Sequence, residues 1–254
     1  MDAPLNGTVA LVTGASSGIG EGIARGLAAD GAIVALVARR IDRLKALAGE
    51  LAETGSTTLV VEADVADEQQ ARDAVARTVA EAGRLDIVVN NAGVMLSGPV
   101  SDAIDGEWEK MLAVNIGGTL NVTRAALPHL QQAAASGPRN VADIVTISST
   151  SGRVARPGHA VYSLTKFGVN AFSEALRQEM LPHRVRVGVV EPGVVETEIV
   201  ASLRGDFGKQ FLEQVSAVTL MQPSDIADAV RYMVSRDRRV AVNEMLVRAG
   251  EQTW

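Results

Sequence analysis

The feature that most restricts this chain is a repeated alternation. Short runs rich in Val, Ile, Leu and Ala are followed by longer stretches whose apolar residues recur at helical spacing. Strand-like runs fall at residues 8–12, 32–37, 58–62, 85–89, 141–147, 185–190 and 245–247, with helical periods at 19–29, 43–53, 67–81, 107–132, 160–180 and 224–234. Strands separated by helices satisfy their hydrogen bonds as parallel neighbours, and right-handed crossovers then put helices on both faces. The expected fold is therefore α/β, a three-layer, doubly wound, seven-stranded and mostly parallel sheet. An apolar fraction of 47% with only 3% aromatic residues suits buried parallel strands better than an all-β sandwich.

Over 254 residues there is no Pro/Ser-rich linker and no further fixed-period repeat, so residues 1–254 are read as one domain. The irregular stretch is 193–222, with a short helix expected near 207–215. It reads either as a lid that closes on a ligand or as a surface excursion. With a net charge of −6 and no Lys/Arg cluster, small-molecule partners are expected rather than nucleic acid. The absence of cysteine excludes disulfides, thiolate nucleophiles and Cys-ligated metals. His129, His159 and His183 are too dispersed for a metal site. No apolar run reaches membrane-spanning length, and residues 1–5 lack a signal-peptide profile, so a cytoplasmic location is the expectation.

The first strand-to-helix turn is Thr13-Gly14-Ala15-Ser16-Ser17-Gly18-Ile19-Gly20. Glycines there let backbone N–H groups approach a pyrophosphate, and the helix N-terminus adds positive potential. A cofactor with a free ribose 2′-hydroxyl is usually met by an acid about 20 residues later, at the end of the second strand. Here that strand ends in Ala38-Arg39-Arg40, so two guanidiniums stand where a 2′-phosphate would need neutralising. NADP(H) is the expected cofactor, with Arg39 the preferred partner of the two, unless both arginines simply begin a solvated helix. Asp64 with Val65 reads as an adenine contact, or Asp64 as the cap of the next helix.

Tyr162 and Lys166 lie four residues apart in the 160–180 helix and so share a face. A free phenol titrates near ~10, and a neighbouring cation is expected to lower that value toward the range of an effective acid/base. Many helices carry such a pair by chance, so spacing alone does not decide.

Several separate motifs do. Thr13–Gly20 resembles the TGxxxGxG signature of the short-chain dehydrogenase/reductase family, Asn90-Asn91-Ala92-Gly93 its NNAG, Tyr162 with Lys166 its YxxxK, and Pro192-Gly193 its PG. Asn115 and Ser149, the latter thirteen residues before Tyr162, also fit. Ala38-Arg39-Arg40, Ala126–Leu130 and the run from Tyr162 to Met180 further resemble an NADP-dependent branch that includes clavulaldehyde, hydroxy-acid and serine dehydrogenases.

The resemblance implies a Rossmann fold and hydride transfer between NADP(H) and a small ketone, aldehyde or secondary alcohol. Tyr162 would pass the proton. Lys166 would lower its pKa and bind the nicotinamide ribose, Ser149 would donate to the substrate oxygen, and Asn115 would hold a water leading to Lys166. Gly14, Ser16, Ser17, Gly18, Ile19 and Gly20 would form the phosphate turn. Asn91, Ala92 and Gly93 would shape the groove, and Pro192, Gly193, Val195 and Thr197 would meet the nicotinamide.

Val94, Met95, Ser151, Arg153, His159, Val194 and Val195 are candidate substrate-lining residues; Arg153, Arg156 and His159 could greet an anion or serve a solvated or intersubunit role. A homo-oligomer, dimer or tetramer, would use Trp108, Met111, Ala160, Gly168, Ala171 and Ala175. The ending Asn243–Arg248 departs from the family's usual glycine-rich pattern. Alternatives that stay open are an epimerase or dehydratase using the same Tyr/Lys pair, and a catalytically silent NADP-sensing module; a methyltransferase has no use for Ser149, Tyr162 and Lys166 together.

Overall fold

The computed structural model describes residues 3–198 and 205–253 of the chain. Its strands are β1 (Val9–Thr13), β2 (Ile33–Ala38), β3 (Thr58–Glu62), β4 (Ile87–Asn90), β5 (Ala142–Ile147), β6 (Val185–Pro192) and β7 (Glu244–Val247). They form one sheet in the order β3-β2-β1-β4-β5-β6-β7, with every described pairing parallel. The order reverses between β1 and β4. Chains diverge there at the carboxyl ends of the strands, which opens a crevice suited to a dinucleotide.

Alternate side chains of the central strands point to opposite faces and feed two apolar layers. On one face Ala10, Val12, Val34 and Leu36 pack with Ile23 and Leu27 of α1 (Gly18–Ala29), Leu44 and Leu47 of α2 (Ile41–Glu53), and Ile226 and Val230 of α8 (Pro223–Val234). On the other, Leu11, Ala35 and Val88 pack with Ala71 and Val75 of α3 (Glu68–Ala82), Val122, Ala126 and Leu130 of α5 (Thr119–Ser136), and Leu176 and Met180 of α6 (Ala160–Met180). At roughly 25 cal/mol per Å² of apolar surface removed from water, these two layers dominate the folding free energy. No described helix is long and apolar enough to cross a membrane.

The long helix expected over 107–132 is interrupted. It starts as α4 (Glu107–Met111), widens into a π-helical stretch over Leu112–Gly118 and resumes as α5. The 193–222 excursion is closed at its base, where Val195 bridges Met221 and Glu196 N–H donates to Met221 O at 2.8 Å. It contains α7 (Gly205–Ser216), longer than the expected 207–215, while residues 199–204 of the excursion lie outside the described residues.

Candidate active site

The glycine turn is fixed by contacts that leave no room for side chains. Gly14 has φ of +67°, and a Cβ on it would lie 2.9 Å from Asn91 Nδ2; one on Gly20 would collide with the same atom and with Gly14 O. Asn91 takes that space because it joins two strand ends: its Nδ2 donates to Thr13 O at 2.9 Å, while its own N–H and that of Ala92 donate to Thr13 Oγ1 at 2.9 and 3.0 Å. The crevice between them opens into a cleft of about 430 Å³, running from Gly14–Ile19 past Val37–Arg40 and Ala63–Val65 to Asn91–Leu96, Tyr162 and Lys166. Bare backbone at the start of α1 and a cleft continuing to the Tyr/Lys pair fit a dinucleotide laid with its pyrophosphate on the turn.

At the β2 end, Arg40 donates to Ser16 Oγ (3.1 Å), Ser17 Oγ (2.5 Å) and Glu198 Oε2 (2.8 Å). Arg39 is more exposed and lies 3.6 Å from Asp64. Both arginines line the cleft, and so does Asp64. The capping alternative for Asp64 is corrected: Asp67 caps α3 by accepting from Gln70 N–H, while Asp64 accepts from Ala66 N–H at 3.0 Å.

At the other end, Tyr162 and Lys166 are 8% and 7% exposed. The Lys166 Nζ donates to Ile147 O at 2.8 Å and stands 5.7 Å from the centre of the Tyr162 ring. Ser149 begins a short 3₁₀ turn, its Oγ accepting from Ser151 N–H, and it is hydrogen-bonded to the Tyr162 side chain. With its oxygen accepting from Ser151, the Ser149 hydroxyl has its proton to give on the Tyr162 side.

The expectation that Lys166 draws the phenol down is not what the structure shows. Burial pushes Tyr162 up to about 12 against the lowering effect of the Ser149 hydrogen bond, and burial pulls Lys166 down to about 8. Desolvation opposes the charged form of each group.

Asn115 sits in the π-helical stretch and is fully engaged. Its Oδ1 accepts from Val94 N–H (2.8 Å), and its Nδ2 donates to Val94 O (2.9 Å) and Thr165 Oγ1 (3.1 Å). A Cβ on Gly93 would fall 3.4 Å from Asn115 Oδ1 and 3.8 Å from Lys166 Nζ, so this glycine is where the groove, Asn115 and Lys166 meet.

Thr197 reaches the cleft and packs over Gly18, whereas Pro192, Gly193 and Val195 are not part of its lining. Gly193 is pressed against Gln252, whose Oε1 accepts from Val194 N–H, and Val195 is buried at the base of the excursion. Val94 and Met95 line the cleft as expected. Arg153 is not free to greet an anion, being committed to Glu191 and Glu244. His159 is buried and bonded to Ser97 at 2.8 Å, with the rings of Phe207 and Phe211 edge-on at 5.2 and 5.8 Å. Burial, with Arg156 nearby, holds its imidazole below the ordinary value and therefore neutral at pH 7.

Thr165, Glu198, Lys110 and the Phe207/Phe211 pair escaped the sequence reading. Thr165, in the middle of YxxxK, could have been flagged as a hydroxyl on a buried helix face; the others belong to no motif.

The family model described as short chain dehydrogenase matches residues 8–207. An uncharacterized oxidoreductase of Staphylococcus aureus is 35% identical over 96% of this chain and 98% of its own length. Glycine betaine reductase of Emericella nidulans is 37% identical over 98% of this chain, which spans only 19% of that longer protein. Among solved structures, serine dehydrogenase in a closed form complexed with NADP+ shares 34% identity at a TM-score of 0.86, covering 97% of each chain. The 3-ketoacyl-(acyl-carrier-protein) reductase of Brucella melitensis, complexed with NADH, shares 31% identity at 0.86, covering 97% and 98%.

Proposed function

Because the chain belongs to the short-chain dehydrogenase/reductase family of oxidoreductases, we propose that it moves a hydride between NADP(H) and a small ketone, aldehyde or secondary alcohol. The observation that carries this reading is that Tyr162 and Lys166 line the same cleft as the glycine turn. A bound nicotinamide supplies the hydride, or receives it in the reverse direction. Gly14, Gly18 and Gly20 leave the backbone bare for its pyrophosphate; Asn91, Ala92 and Gly93 wall the groove.

During reduction Tyr162 donates its phenolic proton to the substrate oxygen. Held largely protonated by burial, it is ready as an acid. Ser149, whose oxygen already accepts from Ser151, donates its own O–H to the same substrate oxygen as charge builds there. Lys166, protonated below about pH 8, stabilises the phenolate left behind. Asn115 positions the Val94 backbone and Thr165. Met95, Phe207 and Phe211 give the substrate side an apolar wall against Tyr162, suited to an uncharged carbonyl compound.

Two guanidiniums and no carboxylate at the end of β2 favour NADP(H) over NAD(H). Trp108, Leu112, Leu164 and Phe167 are exposed apolar residues on α4, the π stretch and α6, which favours a homo-oligomer through these helices; Met111 leaves the expected contact set because it is buried within its own chain. We place the enzyme in the cytoplasm.

The test is NADPH consumption against a panel of ketones and aldehydes, in the wild type and in Tyr162→Phe. Turnover that disappears in the variant while NADPH binding persists supports the reading. Binding without turnover of any carbonyl compound favours the silent cofactor sensor.

A further inference from the structure

Arg40 is the most heavily engaged cation of the cleft, and one of its partners has no counterpart in the sequence motifs. Glu198 approaches from 158 positions further along the chain and divides its carboxylate: Oε2 takes Arg40 Nη1 at 2.8 Å, and Oε1 takes Arg43 Nη1 at 2.6 Å. All three side chains are about half exposed. The two guanidiniums hold Glu198 ionised, down to about 2. The carboxylate is itself part of the cleft lining, beside Ser16, Ser17 and Arg39. Thr197, the preceding residue, packs over Gly18, so the strand end is carried across the mouth of the phosphate turn and Glu198 is delivered to the arginines.

This puts a negative charge where the 2′-phosphate of NADP(H) would seek the same guanidinium. Two anions on one cation repel, and a phosphate carrying close to two charges outcompetes a carboxylate carrying one. Resting on the NADP(H) reading above, we infer that Glu198 is a built-in competitor for the cofactor's 2′-phosphate: it occupies Arg40 in the free enzyme and is displaced onto Arg43 when the phosphate arrives. Arg43 matters because the displaced carboxylate keeps a partner, and the exchange stays inexpensive. Exposed ion pairs of this kind contribute little, so the device trims affinity and keeps the cofactor exchangeable without blocking the site. A cofactor lacking the 2′-phosphate leaves the Glu198–Arg40 pair in place, so Glu198 narrows the margin by which NADPH is preferred over NADH.

The isosteric, exposed substitution Glu198→Gln tests this by calorimetric titration with NADPH and NADH, and with 2′,5′-ADP and 5′-AMP as probes of the ribose end alone. In Glu198→Gln, NADPH and 2′,5′-ADP should bind about three- to fivefold more tightly, NADH and 5′-AMP within about twofold of wild type, and the gain should shrink in high salt. Weaker NADPH binding in the variant would assign Glu198 to holding Arg40 in place and overturn the proposal, as would equal shifts for NADPH and NADH or no shift at all. A wild type that binds 2′,5′-ADP no better than 5′-AMP would instead overturn the NADP(H) reading beneath it, a result separate from the variant's behaviour.

Discussion

At the ribose end of the cleft, Arg39, Arg40 and Glu198 stand about half in water, linked by pairs that rearrange at little cost; at the reacting end Tyr162 and Lys166 are sealed in, the phenol pushed up to about 12 and the ammonium pulled down to about 8. The contrast separates two uses of charge. In water a charge selects a ligand and is easily traded, because solvent screens it. Out of water the same charge is expensive, and the expense makes it reactive.

The dry end should break first. Tyr162→Phe is expected to lower kcat for carbonyl reduction by about 10²- to 10⁴-fold with NADPH affinity unchanged, as seen in paired kinetic and binding titrations. In the wild type, a phenol pushed up to about 12 is a ready acid and a scarce base near pH 7. Alcohol oxidation should therefore accelerate as pH rises, in a profile that carbonyl reduction does not share.

Lys166→Met should cost about 10²-fold in kcat and yet raise thermal stability at pH 7. The sign follows from the shift: a lysine whose folded pKa of about 8 lies below 10.5 binds its proton more weakly when folded, so the charged form opposes folding below about pH 8. Wild-type stability should climb as pH rises from about 8 to 10.5, and the Met variant should lose the slope. The gain at pH 7 is on the order of 1–3 kcal/mol, read from denaturation midpoints at pH 7 and 10.

Gly20→Ala lies between the two ends. Its Cβ would enter the space of Asn91 Nδ2 and Gly14 O, which should destabilise the fold by about 1–3 kcal/mol and weaken both NADPH and NADH. Calorimetry with each cofactor would show the equal loss. The smallest change belongs to the wet end: Arg39→Asp should weaken NADPH by about five- to tenfold and leave NADH nearly untouched, since only an exposed charge is altered. A large loss of NADH binding there would contradict the division drawn above.

The regular part of the molecule was readable because burial on a parallel sheet imposes period and length; residues 58–62 and 160–180 are bounded in the structure as they are in the sequence. Gly14, Gly18, Asn91, Ala92, Gly93, Tyr162 and Lys166 line one cleft for the same reason, each standing at a strand end or on the helix that follows, whereas Pro192 and Gly193 do not. What escaped were relations that no local pattern carries. Asp64 and Asp67 offer the same carboxylate to a helix start, and only the backbone path decides that Asp67 caps it. The upward shift of the Tyr162 phenol is illegible in the sequence because charge neighbours can be counted there while desolvation cannot. Glu198 meets Arg40 only through the path taken by the chain after β6.

The widened turns over Leu112–Gly118 carry a consequence for how this helix can change. A π-helical turn holds more residues than an α-helical one, so the helix downstream is rotated relative to the helix upstream. Asn115 can then look toward Val94 and Thr165 while Val122, Ala126 and Leu130 still look toward the sheet. Removing a single residue from this stretch would restore ideal helix geometry and leave a foldable segment, but it would swing either the amide or the apolar stripe out of phase. Insertions and deletions are thus far more dangerous here than almost any point substitution.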